Sequence, residues 1–210
     1  MDAWIISTAK TNGADVLCAH VMPYLGPDMM LTVTDTSAAD PLDWTFSFVR
    51  GYALPSGFAN TLNFEQGKPF RDFADQRFTL ETLVAGRQRA ILQARPELEP
   101  VDARLLDARV IGDRIVLPNR NTGERAAWCV SLVRVRCILP IAPTVPDLDA
   151  ASLVILQLLR DGFTAKEMGD QIGLSFRTVE HKIEKLKAAF GARSVAHLAT
   201  LSLTAAMDHG

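Results

Sequence analysis

The stretch from Leu148 to Leu203 constrains this chain most, because apolar residues recur there at helical spacing and every boundary carries its own turn signal. Leu148 to Arg160 reads as a first amphipathic helix. It closes at Asp161-Gly162, where glycine ends a helix by accepting a positive φ. Thr164, with Glu167 three residues on, has the spacing of a capping box and opens a second helix that runs through Met168 to Ile172. Gly173-Leu174-Ser175 is a turn whose serine can cap a third helix, Phe176 to Phe190. Gly191 stops that helix, and Ser194 opens a fourth from Val195 to about Ala206.

The third helix sorts cleanly at 100° per residue. Val179, Ile183, Leu186 and Phe190 fall in one stripe, the face of a core. Arg177, Glu180, His181, Glu184 and Lys185 lie opposite, with Thr178, Lys182 and Lys187 on the flanks. Between Ser175 and Ser194 five Lys and Arg residues stand against two Glu, although the whole chain carries a net charge of only −2. Two arrangements satisfy this pattern. One is a small helical bundle with a solvated charged face, which spacing alone favours. The other is a helix-turn-helix that places its last helix in the DNA major groove.

The segment FTAKEMGDQIGLSFRTVEHKIEKLKAAFGARS resembles the four-helix DNA-binding domain of LuxR-type transcription regulators. Lys166-Glu167, Gly173, Ser175, Thr178-Val179, Gly191 and Arg193-Ser194 carry the resemblance, which covers about the last 60 residues without a gap. It implies double-stranded DNA as partner and a contacting set of Ser175, Arg177, Thr178, Glu180, His181, Lys182, Glu184 and Lys185. Glu180, His181 and Glu184 stand at the base-reading positions, and Arg177, Thr178, Lys182 and Lys185 where phosphates are met. The chain departs from the family at Lys182, often histidine there, and at Glu180 and Glu184, often basic. A glutamate can accept from cytosine N4 but repels phosphates, so binding is expected to depend on dimerisation. Leu153 and Val154 replace residues that are commonly charged in such domains. Together with Val195, Leu198 and Leu201 they are expected to form a docking or homodimer surface; the alternative is that Leu153 and Val154 merely enlarge the local core.

A chain of 210 residues fits one large domain or two small ones. No apolar run approaches the roughly 18 residues of a membrane span, and the first residues lack a basic segment followed by an apolar one, so a cytoplasmic protein is expected. Cys18, Cys129 and Cys137 are too scattered for a disulfide framework or zinc site. Cys129 and Cys137 share a face of one expected strand, some 26 Å apart at about 3.3 Å per residue. His20 beside Cys18 is read as structural rather than a ligand pair, and Trp4, Trp44 and Trp128 as packing residues. Glu97, Glu99, Asp102 and Asp107 lack helical spacing and read as a solvated edge. Gly13, Gly26, Gly112 and Gly123 are isolated turns, and no nucleophile elbow, phosphate loop or metal-ligand set indicates an enzyme.

Upstream, strands are expected over Met30 to Asp35 and Trp44 to Val49, followed by an irregular stretch punctuated by Gly51, Pro55, Gly57 and Gly67. One long helix is expected from Thr79 to about Ala94. Three closing strands follow, Val101 to Ala108, Val110 to Pro118 and Ala126 to Leu139, the last two joined by the turn Asn119 to Arg125. This order resembles that of PAS domains, and VTDTSAADPLDWTFSFVRGY is similar to the opening of PAS and LOV domains. GKPFRDF sits where LOV domains carry their flavin-reactive cysteine, and Phe70 takes the cysteine's place. The resemblance therefore implies no LOV-type flavin adduct. It leaves the cofactor unknown, with a non-covalent flavin, haem or another small ligand open, and a protein partner also open. Ala14 to Tyr24 reads as a helix that either mediates dimerisation or covers the sheet.

The sequence thus predicts an α+β protein: a flanking helical segment over residues 1–24, a PAS-like domain over 25–139, a proline-rich linker over 140–147 and a helix-turn-helix domain over 148–207. Its expected function is that of a one-component DNA-binding regulator whose PAS-like half controls dimerisation or exposure of the recognition helix. The alternative is a PAS-based protein-interaction module with weak or lost DNA binding.

Overall fold

A computed structural model describes residues 13–53, 67–105, 108–119, 126–142 and 147–207. Trp4, Pro55, Gly57, Asp107, Gly123 and most of the turn after Asn119 lie outside the described residues, as do positions 143–146 of the proline-rich segment. The chain divides into two compact units, Met1–Leu106 with Val110–Ile138, and Asp107–Arg109 with Leu139–Gly210.

In the first unit, strands β1 (Met29–Asp35), β2 (Thr45–Arg50), β3 (Glu97–Leu105), β4 (Ala108–Pro118) and β5 (Trp128–Pro140) form one sheet in the order β2-β1-β5-β4-β3. That order is the PAS arrangement, and β1 pairs antiparallel with both β2 and β5. Register decides which side chains share a face. Met30 pairs with Val133, Thr32 with Ser131 and Thr34 with Cys129, and these point to one side. Leu31 opposite Leu132 and Val33 opposite Val130 point to the other. Helix α1 (Ala14–Val21) covers that second side, burying Leu17 and Cys18 against Leu25, Leu31, Leu117 and Val130. It therefore clothes a sheet face, as one of the two readings of this segment required.

The first side is covered by a composite helix: an α-turn over Gln76–Phe78, a π-helical segment over Thr79–Val84, and α2 over Ala85–Gln93. It begins earlier than the apolar pattern suggested because the Asp75 carboxylate accepts from Phe78 N at 2.9 Å. Leu80 and Leu92, which looked like face-forming residues, are exposed, since the wider π turn shifts the register of the helix. Strand β3 also begins earlier, at Glu97, and carries Pro100 on an edge, where a missing donor costs no ladder hydrogen bond. Glu97 and Glu99 are not a solvated edge. Arg89 Nε donates to Glu97 at 3.2 Å, and both Arg89 and Arg114 pair with Glu99.

The second unit is four helices: α3 (Ala150–Arg160), α4 (Ala165–Ile172), α5 (Phe176–Phe190) and α6 (Val195–Met207). Each of the first three starts on a side-chain cap. Asp149 accepts from Ser152 N, Thr164 and Glu167 complete the capping box, and Ser175 accepts from Thr178 N. Gly173 and Gly191 close α4 and α5 at φ +71° and +66°, a conformation that strains any residue with a Cβ. Met168, Val179, Ile183, Leu186 and Phe190 interlock with Ile155, Leu156, Leu198 and Leu201 in one core. Ala142 joins that core, and the Pro140 carbonyl accepts from Thr204 Oγ1 at 2.9 Å, so the first residues of the proline-rich segment are built into the helical unit.

The tight α4–α5 turn rests on a close approach. A Cβ on Gly169 would stand 2.6 Å from the Leu174 carbonyl oxygen. Gly169→Val is expected to push the turn open and cost about 1–3 kcal/mol, as overpacking of a filled interior does. A lowered thermal midpoint for the loss of helical circular dichroism checks this, and a midpoint equal to that of the unaltered chain would contradict it.

Candidate functional site

Two places in the molecule have the makings of a site, one in each unit. In the helical unit it is the outward face of α5, which the Gly173–Ser175 turn presents behind a fixed cap. Arg177, Glu180, His181 and Lys185 are all exposed there. The other expected contacts are differently disposed. Ser175 Oγ accepts from Thr178 N and lies 2.8 Å from Thr178 Oγ1, so both hydroxyls serve the cap. Glu184 is held by Lys187 Nζ at 3.0 Å, three residues on. Lys182 turns sideways, its side chain 25% exposed, and donates to Asp149 Oδ2 at 3.0 Å. The face thus displays Arg177 and Lys185, while Lys182 and Lys187 are each engaged by a carboxylate.

Asp149 was not singled out by sequence reasoning; an N-cap signal lay in its position before the first helix. Hydrogen bonds from Ser152, then from Lys182, hold its carboxyl at about 2, below its ordinary value near 4. Backbone and side-chain bonds from Thr164 likewise lower that of Glu167.

Of the residues expected on a docking surface, Leu153 and Val154 are exposed, at 55% and 44%. Val195 is also exposed. Leu198 and Leu201 correct that expectation: they are sealed in the four-helix core at 0% and 3%, because the inward stripe of α6 completes the packing of α3 and α5. Any contact along α6 therefore runs over Val195 and Leu203.

In the sheet unit the site is a cavity of about 90 Å³ between the sheet and the composite helix. Its walls are Met30, Phe46, Phe48, Phe73, Phe78, Leu83, Val101, Val110 and Val133. Phe70, at the position of the LOV cysteine, is fully buried beside it and meets Phe46 and Phe73 at ring-centroid distances of 6.2 and 5.1 Å. Two arginines reach into this interior. Arg87 donates from Nε to Thr34 Oγ1 and from Nη1 to the Leu83 carbonyl, each at 2.8 Å, and its guanidinium stands 5.8 Å from the centre of the Phe70 ring. Burial first, then the neighbouring Arg114, push the Arg87 pKa down to about 9. Arg114 donates to the Thr82 carbonyl and pairs with Glu99. The π segment explains both carbonyl contacts: its irregular ladder leaves Thr82 and Leu83 oxygens to accept from side chains.

One polar atom of the lining has no partner among the described residues. Ser131 Oγ is buried and unbonded, although Ser131 is only 1% exposed and its neighbours are apolar. An orphan hydroxyl of this kind costs about 1–3 kcal/mol if left dry. The apolar walls, the arginines and Ser131 were all missed from sequence, because only the register of β1 on β5 brings Thr32 and Ser131 side by side.

The caps also set an acid limit for the helical unit. A carboxyl whose folded pKa is depressed adds stability that is complete above its unfolded value and is lost as pH falls through the folded one. For Asp149 that window runs from about 4 down to about 2. Helical circular dichroism is expected to fall across it, and to fall less steeply in Asp149→Asn, which caps without titrating; equal acid limbs would refute this.

No family model matches the chain, and no curated protein does either. Similar solved structures include the Vibrio cholerae VqmA dimer in the absence of target DNA, in work on LuxR-type receptors, at 14% identity over 88% of this chain and 86% of that one, with a TM-score of 0.36. The Vibrio cholera VqmA–ligand–DNA complex is similar at 14% identity, 88% and 86% coverage and a TM-score of 0.38. A sensory box sensor histidine kinase from Vibrio cholerae is similar at 10% identity, over 59% of this chain and 93% of that one, with a TM-score of 0.38.

Proposed function

We propose that this chain is a one-component DNA-binding regulator in which the PAS-like unit takes a small ligand and sets the DNA-binding activity of the helical unit, acting as a cytoplasmic homodimer without enzymatic activity. The observation that carries the reading is the outward face of α5, capped at Ser175 and braced by Gly169, which offers Arg177 and Lys185 to phosphates and Glu180 and His181 to base edges. Phosphate contacts supply affinity for any sequence, while contacts with base edges supply selectivity. Replacing Arg177 and Lys185 by Ala is expected to weaken binding to all duplexes and to flatten the salt dependence by roughly 0.9 per lost contact. Replacing His181 or Glu180 should instead change the preferred sequence, as read by selection from a random duplex library. An undiminished salt slope in the Arg177/Lys185 variant would overturn this placement of the recognition helix.

A second reading has its own support: Lys182 and Lys187 are neutralised by Asp149 and Glu184, as a face that meets protein rather than DNA would allow. Absence of salt-dependent binding to any genomic fragment would favour it.

For the ligand, the cavity asks for a compact, largely apolar molecule with one polar atom placed to bond Ser131 Oγ. Filling it removes apolar wall from water and satisfies the orphan hydroxyl. Ser131→Leu should fill the cavity in the ligand's place. It is expected to abolish the thermal stabilisation that small aromatic alcohols or azines give the unaltered protein, while leaving the sheet folded. Retained stabilisation by the same compounds would place the ligand elsewhere.

A further inference from the structure

We propose that Asp149 is an internal competitor for DNA, its carboxylate holding the Lys182 ammonium in the role a backbone phosphate would otherwise take, so that the recognition helix meets DNA with one cation withheld. The inference rests on the DNA-binding reading above and adds to it a residue that sets affinity.

The geometry divides Asp149 between two tasks. Oδ1 accepts from Ser152 N at 2.7 Å and caps α3, while Oδ2 accepts from Lys182 Nζ at 3.0 Å on α5. Capping needs only the first oxygen and no charge: Ser, Thr and Asn cap about as well as Asp. The negative charge is therefore surplus to the helix, and it is spent on the one lysine of α5 that bends away from the exposed face. Asp147 and Asp149 line a single groove with Thr178, His181, Lys182 and Lys185, so carboxylates stand beside the positions where phosphates are expected. Bonds from Ser152 and Lys182 keep Asp149 ionised throughout the neutral range. An exposed pair of this kind adds little to stability. Its consequence is electrostatic: it removes one phosphate contact and leaves a carboxylate near the sugar-phosphate backbone.

Four full-length proteins test the proposal: the unaltered chain, Asp149→Asn, Lys182→Ala and the double variant. Binding to a labelled mixed-sequence duplex of about 30 base pairs is measured by anisotropy between roughly 50 and 200 mM salt, a range over which each counterion-releasing contact is visible. Asp149→Asn retains the cap and is expected to steepen the log–log salt slope by about 0.9. That corresponds to an additional loss of about 3.5-fold across this fourfold salt range. In the Lys182→Ala background the same substitution should leave the slope unchanged, because no ammonium is left to release. Asp149→Ser, a second uncharged cap, should repeat the Asn result, with helical circular dichroism confirming that α3 persists. An unchanged slope in both capped variants, or equal steepening without Lys182, overturns the proposal while DNA binding by the unaltered chain stands. Failure of all the proteins to bind duplex at the lowest salt overturns the DNA-binding reading, and this inference with it.

Discussion

The interior of the sheet unit is organised by the need to keep two buried guanidinium groups bonded. A cation carried out of water costs several kcal/mol unless its donors find acceptors. Arg87 meets this with Thr34 on β1, the Leu83 carbonyl and the face of Phe70; Arg114 meets it with Glu99 on β3 and the Thr82 carbonyl. These bonds join the composite helix to three strands at once. They also account for the π segment, since a regular α-ladder would have claimed the carbonyls of Thr82 and Leu83. With the helix held off the sheet by arginines rather than by close-packed aliphatic side chains, a cavity remains between them. Ser131 opens onto it without a partner.

The helical unit obeys a different constraint, the satisfaction of helix ends. Three side-chain caps and two left-handed glycines fix where α3, α4 and α5 begin and stop, and a small stripe of apolar residues then does the packing. Each buried Val, Leu, Met or Phe of that stripe contributes about 1.5–3 kcal/mol. Rigidity at the α4–α5 turn is what allows one exposed helix face to present side chains in a fixed pattern. The same economy explains Asp149, which serves a helix end with one oxygen and engages the neighbouring helix with the other. A residue placed for capping thereby gains control of a residue placed for binding.

Local signals in the sequence determined the four helices, because capping and helix termination depend on residues three or four apart. Thr164 with Glu167, Gly173, Ser175 and Gly191 were legible for that reason, as was the buried stripe Val179, Ile183, Leu186 and Phe190. The strands were legible in number and approximate position, and their order in the PAS pattern followed from resemblance. What only the tertiary structure decided were the contacts between residues far apart in the chain. Leu198 and Leu201 looked like a surface seam until their helix was seen to close the core; Glu99 looked solvated until Arg89 and Arg114 reached it. Arg87 on Thr34, Thr32 beside Ser131 and Lys182 on Asp149 are 53, 99 and 33 residues apart. Helical and strand periods tell which side of an element a residue takes. Which distant partner waits there, and hence whether a charge is free to bind DNA or already engaged, is set by packing alone.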